Sequence, residues 1–186
     1  MMKRLFSGFA LSILIACSGT TTRLDMSPVS SSLSLRAAVS SIMLRTVSLP
    51  SYAAAEEIAR EIGPGLSEAD SGILWADEPE RAVTLAMTGH LDDILSATVG
   101  PDPWPFIGLP DVVVEVRAAQ MLATLDGNFR FSGQYYIGGD GIDYPNSSDS
   151  FDYSVPITGE ELGAVSLAQA KAILALSEEI AQKLAR

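Results

Sequence analysis

The clearest pattern along the chain is alternation. Val112, Val114 and Val116 alternate with Val113, Glu115 and Arg117. After Asp126-Gly127, the residues Phe129, Phe131, Gly133, Tyr135 and Ile137 alternate with Asn128, Arg130, Ser132 and Gln134. Period-2 runs on either side of Asp-Gly predict a β-hairpin with one buried face. Upstream, residues 38–47 are rich in β-branched and apolar side chains as far as Leu49-Pro50, which predicts a strand. Ala55, Ile58, Ala59 and Ile62 repeat at i, i+3, i+4 and i+7, which predicts a short amphipathic helix closed by Gly63-Pro64. Residues 72–76, with Trp75, read as a short strand. Asp77-Glu78-Pro79 opens a helix to about residue 95, with proline near its first position and acids at the positive end of its dipole. Residues 138–150 are a Gly/Asp/Ser loop and 151–157 a further strand. Thr158-x-x-Glu161 matches a capping box, followed by a closing helix that carries Leu167, Ala170, Ile173, Leu174, Ser177, Ile180, Ala181 and Leu184 on one face. The order β-α-β-α-β-β-β-α predicts an α/β fold: a single domain over 35–186, a mixed sheet, helices packed on it and an antiparallel hairpin.

The N-terminal residues have another character. Met1-Met2-Lys3-Arg4 is followed by twelve uncharged residues ending at Ala16. A basic start, an apolar run and a small residue before the cut make a secretory signal peptide, here 1–16. As a helix the run would rise only about 18 Å, too little to span a bilayer. It ends Leu14-Ile15-Ala16-Cys17, which resembles the bacterial lipobox: two branched aliphatics, a small residue, then cysteine. In that chemistry Leu14, Ile15 and Ala16 are read by the signal peptidase. The Cys17 thiol takes a diacylglyceryl group, and the amine freed by cleavage is acylated. One acyl chain holds a protein marginally, whereas two or three anchor it. The alternative is an ordinary signal peptide with a chance cysteine. Ser18, where an Asp would favour retention in the inner membrane, points to the outer membrane. Residues 18–34 contain nine Ser/Thr, so 17–34 read as a flexible tether of about 22 Å reach.

Charge narrows the field further. The chain has 12 Lys+Arg against 23 Asp+Glu. Cleavage removes Lys3 and Arg4 and no acid, so the mature body carries −13. Such a body has no footprint for nucleic acid and is repelled by anionic lipid, so it should stand off on its tether. One Cys and one His exclude an internal disulfide, a thiolate zinc cluster and a His-rich metal site. His90, near Asp92 and Asp93, reads as a surface or helix-end histidine. No nucleophile elbow, His-Glu-x-x-His, phosphate loop or dinucleotide fingerprint occurs. Asp140, Asp143, Asn146, Asp149 and Asp152 crowd one loop, but their spacing misses the calcium-loop pattern. No catalytic residue, metal or cofactor is expected.

Pro101-Asp102-Pro103-Trp104-Pro105-Phe106-Ile107 places two aromatics and an isoleucine in a proline-rich loop. The plainer reading folds the aromatics back over the core. The functional reading makes Trp104 and Phe106 an exposed contact for a partner or an acyl chain.

Several segments together resemble the ABC-type transport auxiliary lipoproteins, or PqiC-like lipoproteins. They are the lipobox with Cys17, Val47-Ser48-Leu49-Pro50-Ser51-Tyr52, Leu74-Trp75-Ala76-Asp77-Glu78-Pro79, the Gly127 hairpin with Gly133-Gln134-Tyr135, and the Ala-rich closing helix. One departure is Leu24-Asp25-Met26, which stands where many members have a tyrosine-containing early strand. The resemblance implies an α/β fold and a non-enzymatic envelope role beside an MCE-domain protein, an ABC permease and an ATPase. There the lipoprotein docks or receives a lipid-carrying bridge at the outer membrane. A free-standing lipid- or ligand-binding lipoprotein, with an apolar cavity between sheet and helices, is the rival reading. A periplasmic enzyme built around His90 or the acidic loop is a third. Homo-oligomerisation is left open.

Overall fold

The computed structural model describes residues 22–139, 144–159 and 161–185. In chain order the elements are β1 (Thr22–Leu24), β2 (Ser41–Leu44), β3 (Glu57–Gly63), β4 (Leu66–Trp75), α1 (Pro79–Ile94), β5 (Thr98–Pro101), β6 (Val112–Ala123), β7 (Asn128–Gly139), β8 (Ser147–Pro156) and α2 (Leu162–Leu184). The eight strands form one mixed sheet in the order β1-β4-β3-β6-β2-β5, with β7 also paired to β6 and β8 beyond it. Both helices cover one face of it. The α/β, single-domain expectation stands.

β6 is the spine. Along one edge it pairs antiparallel with β7 from Val112↔Gly139 to Ala123↔Phe129. Its other edge serves two partners. Val112, Val113 and Val114 pair in parallel with Ile42, Met43 and Leu44, while Ala123 pairs in parallel with Arg60 near the far end. The predicted hairpin therefore forms, and its alternation is real. Val112, Val114, Val116, Phe131 and Tyr135 are completely buried beneath the helices. β6 nevertheless changes phase, because Met121 is buried where strict alternation would expose it. The cause is a bulge: Ala118 faces Gly133 and Gln120 faces Ser132, leaving Ala119 extra. Gly133 makes this possible. A Cβ there would lie 2.2 Å from the Arg117 carbonyl oxygen and 2.9 Å from Ala118 Cα.

The helices are built as their sequences suggest. Pro79 opens α1, and Asp77 accepts the Glu78 N–H at 2.9 Å just ahead of it. Val83, Met87, Leu91 and Ile94 form one buried stripe on α1. On α2 the buried stripe is Ala172, Ile173, Leu176, Ile180 and Leu184, whereas Leu167 is exposed and Leu174 only half-buried.

Six expectations are corrected. Residues 57–63 are strand β3, not a helix. Pro64 and Gly65 (φ 70°) take the central positions of a tight turn, the type II pattern, and return the chain antiparallel as β4. Eight residues with a helical stripe cannot repay helix nucleation against ladder hydrogen bonds along a whole strand. β4 is longer than 72–76, and β2 shorter than 38–47. A strand at 98–101 was not foreseen, because its four residues carry no periodicity. α2 begins at Leu162 with Glu161 as N-cap and no side-chain cap, so Thr158 does not cap it. Gly159, at φ 114°, turns the chain first.

The sixth correction is the tether. From Thr22 onward the stretch lies on the domain. β1 pairs in parallel with Ile73, Leu74 and Trp75. The Ser27 N–H donates to Ser166 Oγ at 2.8 Å, Ser31 Oγ donates to Glu178, and Met26 and Leu33 pack on the core. A Ser/Thr-rich segment has too little apolar surface to order itself, but here α2 supplies partners for its hydroxyls.

Gly133→Ala should lower stability by about 2–3 kcal/mol, since the added methyl meets backbone that cannot rotate away. A urea midpoint equal to wild type would show that the bulge does not need glycine.

Candidate functional site

The residues that carry the family resemblance build structure. Leu49 is buried, and its N–H donates to Glu80 Oε1 at 3.1 Å. The Tyr52 hydroxyl accepts the Met121 N–H at 3.2 Å, just beyond the bulge. The Trp75 N–H donates to the Glu56 carbonyl at 2.7 Å, and Asp77 pairs with Arg81. These contacts fix the joints between sheet and α1.

The loop 102–111 crosses from the end of β5 to the start of β6. Trp104 and Phe106 meet edge-to-face, with centroids 4.9 Å apart at 66°. They sit with Pro105 against Gly100, where a Cβ would come within 3.0–3.1 Å of all three side chains. Val99 pairs with the buried Ile42 on the core face, so the next residue, Gly100, and this loop lie on the opposite face of the sheet. Asp111 staples the loop's end, because its Oδ2 accepts the N–H groups of Ser40 and Ser41 at 2.8 and 2.9 Å. The two sequence readings therefore divide the loop between them. Trp104 folds back and is half-buried. Phe106 is half exposed, and beyond it Ile107 and Leu109 stand out at 106% and 92% exposure. Leu109 was missed from the sequence. Its only signal is an aliphatic residue between Gly108 and Pro110, with no periodic partner.

A second exposed apolar group lies at the other end of β6. Ile62 and Leu66 flank the β3–β4 turn at 50% and 61% exposure, and Leu125 in the β6–β7 turn is 62% exposed. The Leu125 N–H donates to Glu61 Oε2 at 3.1 Å, which joins the two turns.

Polar clusters elsewhere have structural employment. The hydroxyls of Tyr135 and Tyr153 both donate to Glu179, tying α2 to β7 and β8. Burial first, then Glu179, pushes both phenols well above their ordinary range. In the acidic loop, Asp149 pairs with Lys183 at 3.1 Å, and Asp152 accepts two hydrogen bonds from Arg130 at 3.0 and 2.7 Å. Asp140 and Asp143 lie outside the described residues, as do Leu14, Ile15, Ala16 and Cys17. No group of three or more metal-ligating side chains converges among the described residues. Between the sheet and the helices, a cavity of about 20 Å³ is lined by Ala53, Ile58, Trp75, Met121, Phe129 and Gln169. Pockets for small ligands run to roughly 300 Å³ and more. Among the described residues no helix is long and apolar enough to cross a membrane.

This two-layer arrangement recurs in solved structures. An uncharacterized protein aligns with a TM-score of 0.70 at 14% identity, covering 90% of this chain and 100% of its own. A Xanthomonas campestris protein of the DUF330 family aligns with a TM-score of 0.64 at 16% identity, covering 88% of this chain and 91% of its own. At these identities the likeness is one of fold. No curated protein matches in sequence. Residues 23–181 match the family model of the ABC-type transport auxiliary lipoprotein component, and the chain belongs to that family. Membership implies a cell-envelope location and association with an ABC-type transport system.

His90 supplies a pH test. Burial lowers its pKa from the ordinary 6.5, against opposing pulls from Asp93 and Glu178. A depressed folded pKa means the unfolded chain binds the proton more readily, so stability is full above about pH 6.5 and falls as the pH drops through that value. Asp126, held low by Thr124 and Asn128, and Asp152, held low by Arg130, lose their contributions only below the carboxylate range. Between pH 7.5 and 5.5 the melting temperature should therefore fall, and His90→Gln should flatten the slope. An unchanged slope in the variant would assign the effect elsewhere.

Proposed function

We propose that this protein is the lipid-anchored auxiliary subunit of an ABC/MCE-type system that moves phospholipids or other hydrophobic molecules across the bacterial envelope. In this reading the signal peptidase cuts after Leu14-Ile15-Ala16, and acyl groups on Cys17 hold the chain at the outer membrane, facing the periplasm. The body docks an MCE-domain protein that works with an ABC permease and an ATPase. It performs no turnover of its own.

The observation that carries this reading is the family match over 23–181. The loop tip formed by Phe106, Ile107 and Leu109 supports it, since exposed aliphatics on a stapled loop are what a docking contact needs. Proline and the Trp104–Phe106 pair restrict the loop beforehand, so less freedom is lost on binding. The rival reading, a free-standing lipid carrier, requires room inside the domain. Among the described residues the cavity between sheet and helices is about 20 Å³, room for about one water molecule. The larger hollows of about 230, 570 and 520 Å³ are open clefts on the surface, so the geometry favours docking.

Cys17→Ser should move the protein from the membrane fraction to the soluble periplasm, and normal membrane retention would sink the anchor assignment. Ile107→Ser with Leu109→Ser should leave the melting temperature unchanged, because both side chains are already in water. The same pair should sharply reduce recovery of the MCE component in pull-downs from solubilised envelopes. Recovery equal to wild type would remove the loop from the interface, and failure of the wild-type protein to recover any MCE or permease component would refute the docking role.

A further inference from the structure

The geometry of β1 bears on how the body sits on its membrane. β1 runs parallel to β4, so moving backward along it from Leu24 to Thr22 leads towards Leu66, where β4 begins. The pairings Thr22↔Ile73, Glu57↔Leu74 and Arg60↔Ala123 place Thr22 about level with Gln120 on β6. From there the β3–β4 turn is two strands across and about five residues along, roughly 20 Å at sheet spacings. The Phe106–Leu109 tip lies on the opposite side of that level. It is about four strands across and seven residues along, roughly 30 Å away. Cys17 precedes Thr22 by five residues, and five residues reach at most about 17 Å. An anchor on Cys17 can therefore come within a few ångströms of Ile62, Leu66 and Leu125, but it cannot approach the loop tip. The expected stand-off on a long tether disappears with the tether.

We propose that Ile62, Leu66 and Leu125 rest in the surface of the bilayer that holds Cys17, so that the Phe106–Leu109 tip faces away from that bilayer. This rests on the lipidation of Cys17 proposed above. The occupant is lipid rather than protein because the chain length delivers the membrane to this end of the sheet. The charged neighbours are Glu61, Glu68, Asp126, Arg60 and the Arg130–Asp152 pair, and both cations are already paired, Arg60 with Glu68 at 3.4 Å and Arg130 with Asp152 at 2.7 Å. The contact therefore suits uncharged or zwitterionic headgroups and is opposed by anionic ones.

The test is hydrogen exchange read by mass spectrometry on the full mature chain. Acylated protein purified from envelopes is placed in vesicles of phosphatidylethanolamine and phosphatidylcholine and compared with the Cys17→Ser protein in solution. Amides of residues 62–67 and 124–127 should exchange several-fold more slowly on the vesicles, with 104–110 unchanged, and added phosphatidylglycerol should weaken the effect. Leu66→Ser with Leu125→Ser should abolish the protection while the acyl chains keep the protein on the vesicles. Protection at 104–110 instead, or at neither end, overturns the proposal. So does concentration-dependent protection of 62–67 without vesicles, which would make a second copy the occupant. The intact mass separates the two readings. An unacylated Cys17 brings down the anchor and this orientation together, whereas an acylated chain with an unprotected hairpin brings down the orientation alone.

Discussion

The close approach of Gly133 to the Arg117 carbonyl carries more of this architecture than any single side-chain contact. It permits one extra residue in β6, and that residue rotates the second half of the strand relative to the first. Before the bulge, Val112, Val114 and Val116 turn inward. After it, Met121 does so, and β7 keeps its own phase with Phe129, Phe131, Tyr135 and Ile137 inward throughout. One strand can thus seal a core over about twelve residues while its other edge serves two unrelated partners. β2, with β5 beyond it, sits against its start, and the β3–β4 hairpin against its end. The added twist of a bulge helps separate those two partners.

That division gives the molecule two poles, each closed by a different polar device. At the start of β6, Asp111 ties the apolar loop to the first residues of β2. At its end, Glu61 joins the two turns through the Leu125 N–H. In both places a carboxylate satisfies backbone donors, so the aliphatic side chains beside it are left over for contact with something else. The acidic surface of the body fits this economy. Several of its carboxylates are occupied in ion pairs and turn closures, as with Asp152 and Arg130 or Asp149 and Lys183. Exposed pairs of this kind add little stability, so the core under the helices carries the fold.

The helices divide their duties in the same manner. α1 is joined to the β2–β3 connection by Glu80 and by Thr84, whose Oγ1 accepts the Val47 N–H at 2.9 Å. α2 is joined to β7 and β8 through Glu179 and to the N-terminal segment through Ser166 and Glu178. From Thr22 onward the N-terminal segment is therefore part of the domain.

Taken alone, the sequence determined the elements whose cues are local. Asp126-Gly127 between alternating runs specifies the hairpin, Pro79 after acids specifies the start of α1, and the apolar stripe of α2 specifies its buried side. The proposed cleavage signal Leu14-Ile15-Ala16-Cys17 is local in the same sense, since a signal peptidase would read it as an extended peptide. Tertiary structure decided whatever depends on a distant partner. The stripe Ala55, Ile58, Ala59, Ile62 suits a helix until β4 offers a ladder, and the Ser/Thr-rich 22–34 suits a tether until α2 offers hydroxyl and carboxylate partners. The loop at 102–111 could not be divided into covered and exposed residues before Gly100 was known to lie beneath Trp104. The physical reason is the same in each case: short segments have nearly balanced local preferences, and a few long-range hydrogen bonds or one close backbone approach tip the balance.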